Sequence, residues 1–387
     1  MPEIFLSISI TFILAVVLSV YEVPVIVRIS RKLNLLDHPN ERSSAVMSVP
    51  TFGGIAIFIS FILSSTIGLT GYNLPEVRYI YPALMLIFFS GLTDDLINIS
   101  PFKKIISQIG AAVMLIFLAK IRFTNLHGVF GIWEIGVIPG AIITCFTILV
   151  IVNAFNLIDG IDGLAAGISI LITAVFGTWF CLSGHFGYSI LSFSLAGSVA
   201  GFFYYNVYGV RNKIFMGDTG SLVIGALISI LVIQFNEYNI DLTGPYAVQS
   251  APAIAFGILS YPLMDLVRVV VIRLTNLRHP FRADKNHFHH RLLILGLSHK
   301  TAAFSIIGIN VLFVVAVFYL NRIGLSTIMS YIVFACFLLV MIPAFVIDKR
   351  KLIHRDDPVQ QLLIPGTPNT ALRNKKRSES RRKRIVK

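Results

Sequence analysis

Long apolar runs recur from one end of the chain to the other, and short polar segments separate them. Each run holds about 20 residues, which is the length that a helix needs to cross a hydrocarbon layer about 30 Å thick. The runs lie at residues 4–26, 52–70, 79–97, 104–122, 138–157, 163–183, 187–207, 219–236, 250–274, 302–321 and 325–347. We therefore predict an all-α, polytopic integral membrane protein with about eleven transmembrane helices.

The composition supports this prediction. Hydrophobic residues make up 56% of the chain and charged residues only 13%, whereas a water-soluble chain needs far more charge to cover its surface. The first run lacks the basic start and the cleavage site of a secretion signal, so we interpret it as a permanent span. Cys145, Cys181 and Cys336 lie inside apolar runs without a Cys-x-x-Cys spacing. They indicate neither a disulfide framework nor a thiol metal site.

The basic residues predict the topology. The formal net charge is +13, and most positive residues, such as Lys103, Lys104, Arg211 and Lys213, fall in loops on one side if the spans alternate. By the positive-inside rule that side is cytoplasmic, which places the N-terminus outside and the C-terminus inside. Because the positive charge follows the topology and does not gather on a soluble domain, we expect no nucleic-acid partner.

The domain organisation is simple. We predict one transmembrane catalytic domain over residues 1–350, with its active site on the cytoplasmic face. Residues 351–387 are polar and basic, a composition that cannot bury enough apolar surface to fold alone. We expect this tail to be a disordered cytoplasmic arm that fixes the topology, with binding to anionic membrane lipid as the alternative.

Four segments rich in carboxylate, amide or imidazole groups fall on the predicted cytoplasmic side. Their sequences are GLTDDLINISPFKK, NAFNLIDGIDG, NKIFMGDTGS and RHPFRADKNHFHHRL. The predicted outer loops carry no comparable cluster. Because separate spans deliver these groups to one membrane face, we expect them to form one site.

The second segment forms a polar stripe. Asn153, Asn156 and Asp159 are three residues apart and so lie along one helix face, and Asp162 follows them. Polar groups at membrane depth are costly unless they line a hydrated cavity or bind a ligand. We interpret the stripe as the wall of a binding site, with a polar seam between helices as the alternative.

Carboxylates also occur in the first and third segments. Asp94 and Asp95 are adjacent and repel one another, so keeping both ionised requires a cation, either Lys103 or Lys104 or a metal. Asp218 directly precedes the eighth run, where capping of the helix is the simplest role for it. Its place on the same face as the other clusters favours a role in the site as well.

The fourth segment holds His287, His289 and His290 beside Arg282 and Lys285. No second segment of Cys or His accompanies the histidines, so we expect them to bind phosphate oxygens and not zinc. Carboxylates and cationic groups around an open site suit Mg²⁺ and a diphosphate, which indicates phosphoryl chemistry. A site in the membrane further implies that one substrate is a lipid.

The four motifs, in this order and at these spacings, resemble those of the polyprenyl-phosphate N-acetylhexosamine-1-phosphate transferase family, glycosyltransferase family 4. The match begins at LLDHPNERSS, residue 35, and ends with HFHHRLLILGLSH at residue 299. The resemblance implies transfer of N-acetylhexosamine 1-phosphate from a UDP-sugar to undecaprenyl phosphate or a similar polyprenyl phosphate, with release of UMP. It also implies a location in the inner (plasma) membrane, a Mg²⁺ cofactor with Mn²⁺ as an alternative, and a homodimer.

The resemblance assigns a role to each matching residue. The catalytic residues would be Asp94, Asp95, Asp159, Asp162, His289 and His290; the substrate-binding residues would be Lys104, Asn153, Asn156, Phe215, Arg282 and His287; the metal ligands would be Asp218 and Asp159. Phe215 would stack on uracil, and Lys104 would lie near the lipid phosphate. A dianionic phosphate is already a competent nucleophile, so for Asp94 we favour positioning and electrostatics over proton abstraction.

The branch of the family is indicated by the segment ADKNHFHH, which resembles enzymes that use UDP-N-acetylglucosamine. Such enzymes start lipid-linked cell-envelope polysaccharides, among them lipopolysaccharide O antigen and teichoic acid. The alternatives are a phospho-N-acetylmuramoyl-pentapeptide transferase of peptidoglycan synthesis, a membrane transporter and a lipid diphosphatase. Ala45 stands where relatives often carry His, so no role is assigned to the loop around it.

Overall fold

The computed structural model describes residues 2–36, 49–275 and 288–338. Most of these residues lie in helices joined by short turns. In chain order the helices are α1 (Pro2–Lys32), α2 (Gly53–Gly68), α3 (Val77–Ile97), α4 (Pro101–Val113, continued by a π-helical turn, Met114–Leu118), α5 (Val137–Ile158), α6 (Leu164–Leu182), α7 (Phe186–Tyr208), α8 (Gly217–Tyr238), α9 (Ala251–Ile258), α10 (Ser260–Thr275), α11 (Phe288–Ile294), α12 (His299–Tyr319), a 3-10 turn (Asn321–Ile323) and α13 (Leu325–Leu338).

Eight helices in the described part of the chain are long and apolar enough to cross a membrane. They are α1, α3, α4 with its π-helical turn, α5, α6, α7, α8 and α12. The pair α9 and α10, bent by 78°, is a ninth candidate, and α2 and α13 are shorter apolar helices. The prediction of an all-α polytopic membrane protein is therefore confirmed.

Each of the eleven predicted runs contains at least one of these helices. The number of eleven spans and the outside position of the N-terminus remain predictions, because length and composition alone identify these helices. The predicted basic tail, residues 351–387, lies outside the described residues.

A small hairpin between α4 and α5 is an exception that the apolar pattern did not predict. Strand β1 (Asn125–Val129) pairs antiparallel with β2 (Ile132–Glu134). The hairpin is attached to the bundle through Thr124, whose backbone N and Oγ1 donate to the two carboxylate oxygens of Glu237 at 2.8 and 2.7 Å. This long-range contact anchors a segment that is too short to be stable by itself.

The central helix is α8, in which 94% of the residues in an apolar 18-residue stretch are buried. Helices α2, α3 and α5 pack around it. Gly54 on α2 lies against Gly220, and Gly91 on α3 lies against Thr219, so closely that a Cβ at either glycine would overlap the α8 backbone. Small residues permit such close approach between helices in membranes. The start of α8 is therefore held beside the end of α3.

The bundle has two ends that matter for function. At the site end, formed by residues 94–104, 156–164 and 213–221, α3 and α5 finish and α4, α6 and α8 begin. At the opposite hairpin end lie β1, β2 and the last turn of α8. Three of the four polar segments singled out in the sequence lie at the site end, and the described part of the fourth, from Phe288 onward, contacts it through His289 and Gly160.

Candidate active site

Asp95 caps the N-terminus of α8 from the neighbouring helix α3. Its Oδ1 accepts a hydrogen bond from the backbone N of Asp218 at 2.8 Å, and its Oδ2 accepts from the backbone N and the Oγ1 of Thr219 at 3.0 and 2.5 Å. Gly217 precedes this turn with φ +71°, a conformation that favours glycine. The first amides of a helix lack partners and carry partial positive charge, so a carboxylate suits this position.

This capping leaves the side chain of Asp218 available for other contacts. The simplest sequence interpretation gave Asp218 the capping role, whereas in the structure Asp95 fills it. Asp218 Oδ1 instead accepts from Asn156 Nδ2 at 2.9 Å, and Asn156 also donates to Ser221 Oγ at 3.1 Å. The end of α5 and the start of α8 thus meet through Asn156.

Lys104 joins the two acidic helices. Its Nζ lies 2.6 Å from Asp94 Oδ2 and also contacts the carboxylate of Asp218. The other oxygen of Asp94 accepts from the backbone N of Ile99 at 2.7 Å, which fixes the turn between α3 and α4. Lys104 is therefore the cation beside Asp94, whereas Asp95, the other member of the adjacent pair, is bound by the start of α8.

Asp159 and Asp162 follow α5 in the turn that leads to α6. The pKa of Asp159 is raised to about 8, first because the carboxyl is withdrawn from water and second because Asp218, Asp95 and Asp162 place negative charge near it. Asp162 differs, since its Oδ2 pairs with Lys213 Nζ at 2.5 Å. Of the two carboxyl groups in this turn, Asp159 is therefore the one whose charged form is disfavoured by its surroundings.

Asn206 on α7 connects the same turn to the segment that precedes α8. Its Oδ1 accepts from the backbone N of Gly163 at 2.7 Å, and its Nδ2 donates to the carbonyl of Ile214 at 2.9 Å. Phe215 follows directly, and its backbone bonds to Pro50 and Gly53 at 2.8 and 2.9 Å. The sequence interpretation missed the buried Asn206. The signal for it was a single amide side chain near the end of an apolar helix.

His289 reaches the site from a distant part of the chain. Its buried ring packs so closely on Gly160 that a Cβ at residue 160 would overlap the Nε2 of His289. The Nδ1 of His289 is 3.4 Å from Tyr261 Oη. His290 is its neighbour, with ring centroids 4.5 Å apart. The predicted site residues Arg282 and His287 lie outside the described residues.

Asn153 lies one helical turn deeper than Asn156. Its Nδ2 donates to Gln108 Oε1 at 2.9 Å and to the carbonyl of Leu149 at 2.7 Å. The polar stripe predicted on α5 therefore splits: Asn156 belongs to the acidic network, and Asn153 links α5 to α4. Gln108 was not singled out in the sequence, although a buried amide within an apolar helix is a signal for such a link.

An apolar groove starts beside this network. Its volume is about 1090 Å³, and residues of α4, α5, α8, α9, α10 and β1 line it. Lys104, Asn153 and Asn156 line its site end, and Arg273 from the last turn of α10 also lines the groove. Arg273 is buried, and the sequence interpretation missed it. A groove that is apolar along its length and cationic at one end matches a lipid with an anionic head.

The acidic network was also considered as a magnesium site. Among the described residues, no group of three or more His, Cys, Asp or Glu side chains is arranged to hold a metal ion. Mg²⁺ usually keeps several waters and binds through one or two carboxylates plus substrate phosphates. Asp218 Oδ1 is oriented by Asn156 and its other oxygen contacts Lys104, so this carboxylate has the donor type for that mode of binding, with Asp159 nearby.

Comparison with known proteins gives consistent matches. Residues 77–236 match the model of a family described as glycosyl transferase family 4. The chain is 31% identical over 316 residues to a probable undecaprenyl-phosphate N-acetylglucosaminyl 1-phosphate transferase of Bacillus subtilis, covering 81% of this chain and 85% of that protein. It is 29% identical over 278 residues to the undecaprenyl-phosphate alpha-N-acetylglucosaminyl 1-phosphate transferase of Escherichia coli, covering 71% and 73%. The protein of that name in Yersinia pestis is also 29% identical, covering 71% and 74%.

Proposed function

The chain belongs to glycosyl transferase family 4, and from that membership we propose that it transfers N-acetylglucosamine 1-phosphate from UDP-N-acetylglucosamine to undecaprenyl phosphate. In this reaction an oxygen of the lipid phosphate attacks the phosphorus that carries the sugar. The bond from that phosphorus to the bridging oxygen breaks, and UMP leaves with the electron pair. The product is a lipid-linked diphosphate sugar that starts a cell-envelope polysaccharide.

The observation that carries the proposal is the junction of an acidic and cationic network with an apolar groove. Lys104 belongs to both, since it contacts Asp94 and Asp218 and also lines the groove. A polyprenyl chain in the groove would bring its phosphate to Lys104 at the site end. That position lies directly beside the carboxylate of Asp218, where the second substrate would bind.

The residues around the lipid phosphate have separate roles. Lys104 binds the lipid phosphate, and Asp94 holds Lys104 in place. Asp95 positions Asp218 by capping α8. For Asp94, proton abstraction is unnecessary because the phosphate dianion is already nucleophilic, so its contribution is electrostatic.

The nucleotide sugar binds on the other side of Asp218. We assign the diphosphate and sugar to His289, His290, Arg282 and His287, and the uracil to Phe215. Asp159, which lies near other carboxylates, and Asp162, which pairs with Lys213, line the nucleotide and metal region. Asp218 and Asp159 would hold Mg²⁺, or Mn²⁺ in its place, and the bound metal supplies neutralisation of the charge that develops on the diphosphate.

The orientation in the membrane follows from the substrates. UDP-sugars are water-soluble and cytoplasmic, so we place the site end at the cytoplasmic face of the plasma membrane. This agrees with the positive-inside rule. The division into a transmembrane domain over residues 1–350 and a basic tail, and the homodimer, belong to the same proposal.

The transporter alternative predicts two similar halves with interrupted helices in corresponding positions. Within the described ranges, the bent pair α9 and α10 is a single such interruption. The acidic groups of the site also lie at helix ends, whereas Asp265 lies within α10 and Glu22 within α1. The geometry therefore favours the transferase.

The test uses purified full-length protein in detergent with undecaprenyl phosphate, Mg²⁺ and a panel of UDP-N-acetylhexosamines that includes UDP-N-acetylmuramoyl-pentapeptide. A parallel reaction contains undecaprenyl diphosphate. UMP, inorganic phosphate and lipid-linked product are followed together. We expect equal amounts of both with UDP-N-acetylglucosamine. Activity confined to UDP-N-acetylmuramoyl-pentapeptide would instead identify the peptidoglycan enzyme, and phosphate release without UMP would identify a diphosphatase. Absence of UMP with every donor, in protein shown to be folded, would refute the proposal.

A further inference from the structure

The apolar groove runs between the two ends of the bundle. Along α5 its lining extends from Ile143 to Leu157, and along α10 it reaches Arg273. Fourteen residue steps on α5 at 1.5 Å each correspond to about 21 Å of helix. An extended isoprene unit contributes four chain carbons at bond lengths near 1.5 Å, about 5 Å in total, so the groove accommodates about four units.

The hairpin closes the groove at its far end. Leu126 and Val129 of β1 line it, and the polar side chains of Asn125, His127 and Asn236 lie at the same end. The hairpin is attached firmly there, since His127 Nε2 lies 3.0 Å from the carbonyl of Asn236 and Thr124 bonds to Glu237. Burying hydrocarbon against polar groups is unfavourable. The hairpin is therefore a poor path for a longer prenyl chain.

The side of the groove is open. Phe146 on α5 and Val267 and Val271 on α10 line it and are nonetheless 66%, 55% and 50% exposed. These residues belong to membrane-spanning helices, so their exposed surfaces face lipid. A chain that reaches the hairpin can leave between α5 and α10 into the bilayer.

We propose that the hairpin is the floor of the groove and limits recognition of the acceptor to about its first four isoprene units. Units beyond the fourth leave sideways and make no contact that the enzyme recognises. The inference rests on the proposed function, because it takes a polyprenyl phosphate as the occupant of the groove. It adds a determinant of acceptor specificity at the opposite membrane face from the chemistry.

The first test measures kcat/KM of the full-length protein in detergent at saturating UDP-N-acetylglucosamine. The acceptors are geranyl, farnesyl, geranylgeranyl, heptaprenyl and undecaprenyl phosphates. We expect kcat/KM to rise about tenfold from geranyl to geranylgeranyl phosphate, a modest gain because packing in the groove replaces equally apolar detergent. Beyond geranylgeranyl phosphate we expect a plateau. A further rise of the same size up to undecaprenyl phosphate would overturn the proposal.

The second test changes the floor. Leu126→Trp shortens the groove, so kcat/KM for geranylgeranyl and undecaprenyl phosphates falls while that for geranyl phosphate is unchanged. Phe130→Trp is the matched control, because Phe130 is at the hairpin tip, 96% exposed, and does not line the groove. Ala255→Phe, on α9 and in the groove lining, repeats the test if the first variant does not fold.

The outcomes separate the two proposals. An equal loss with every acceptor, geranyl phosphate included, would show that the hairpin only supports the fold and would overturn the floor. Product from undecaprenyl phosphate with no dependence on Leu126 or Ala255 would overturn the floor and leave the proposed function intact. Wild-type protein without product from any acceptor would overturn both.

Discussion

Asp95 offers the sharpest test of how the site is built, because the sequence assigns it to catalysis and the geometry assigns it to positioning. We consider Asp95→Asn, which keeps the shape of the side chain. The carboxylate accepts three hydrogen bonds, two from backbone N–H groups at the start of α8 and one from Thr219 Oγ1. The amide keeps one accepting oxygen and directs an NH₂ group at the remaining donors.

The expected loss of stability follows from these contacts. A hydrogen bond to a charged group contributes about 1.5–3 kcal/mol, and a charge at a helix terminus contributes up to about 2 kcal/mol in a buried setting. Since one acceptor is kept, we expect Asp95→Asn to lower the free energy of unfolding by about 2–3 kcal/mol. At roughly 2–4 °C per kcal/mol, the unfolding temperature falls by at least about 4 °C.

The neighbouring carboxylate is the control. Asp94→Asn keeps an oxygen for the backbone N of Ile99 and loses only its pairing with Lys104, a partly exposed ion pair worth about 1 kcal/mol or less. Thermal unfolding in detergent and UMP release are measured for both variants. We expect both to lose activity and only Asp95→Asn to lose substantial stability. Wild-type stability together with lost turnover in Asp95→Asn would refute the capping argument and support a direct catalytic role.

Three further predictions concern other residues of the site. Asp218→Asn should reduce metal-dependent turnover at least about 100-fold, as for loss of a charge-stabilising group, while thermal unfolding stays near wild type; full activity would remove Asp218 from the site. His289→Ala should raise KM for the UDP-sugar about tenfold, the equivalent of one hydrogen bond, with less effect on KM for the lipid; unchanged steady-state kinetics would contradict that role. Asn206→Leu leaves the N–H of Gly163 and the carbonyl of Ile214 without their partner. It should lower the free energy of unfolding, measured in denaturant, by about 2–4 kcal/mol. A free energy of unfolding within roughly 0.5 kcal/mol of wild type, the range of neutral substitutions, would show that water replaces the amide.

The apolar pattern was sufficient to predict the helices and the face on which the polar groups meet. Every apolar run contains a helix, because length and hydrophobicity are local properties that the membrane environment enforces. The pairing of Asp94 with Lys104 was also within reach, since adjacent carboxylates require a nearby cation.

What the sequence could not provide are contacts between distant segments. From the sequence, Asp218 was assigned the capping role as well as a role in the site, and Asp95 a catalytic role. The close packing of α3 on α8 through Gly91 is what makes Asp95 the cap. The groove depends on the bend between α9 and α10, which Gly257 and Pro262 flank but which the apolar pattern alone did not predict. Arg273 appeared to be an ordinary basic residue at a helix end until that bend placed it in the groove lining.

These contacts couple the stability of the bundle to the chemistry of the site. The turn that carries Asp218 is the N-terminus of the most buried helix, and the carboxylate that caps it belongs to the same acidic pair as Asp94, which holds Lys104. Loosening of α8 against α3 would therefore displace Asp218, Lys104 and the mouth of the groove together. Gly54 and Gly91 pack against α8 and touch no substrate. Substitutions at these glycines should consequently reduce turnover in proportion to their loss of stability. A variant at either position that is unstable but fully active would show that the site tolerates movement of α8.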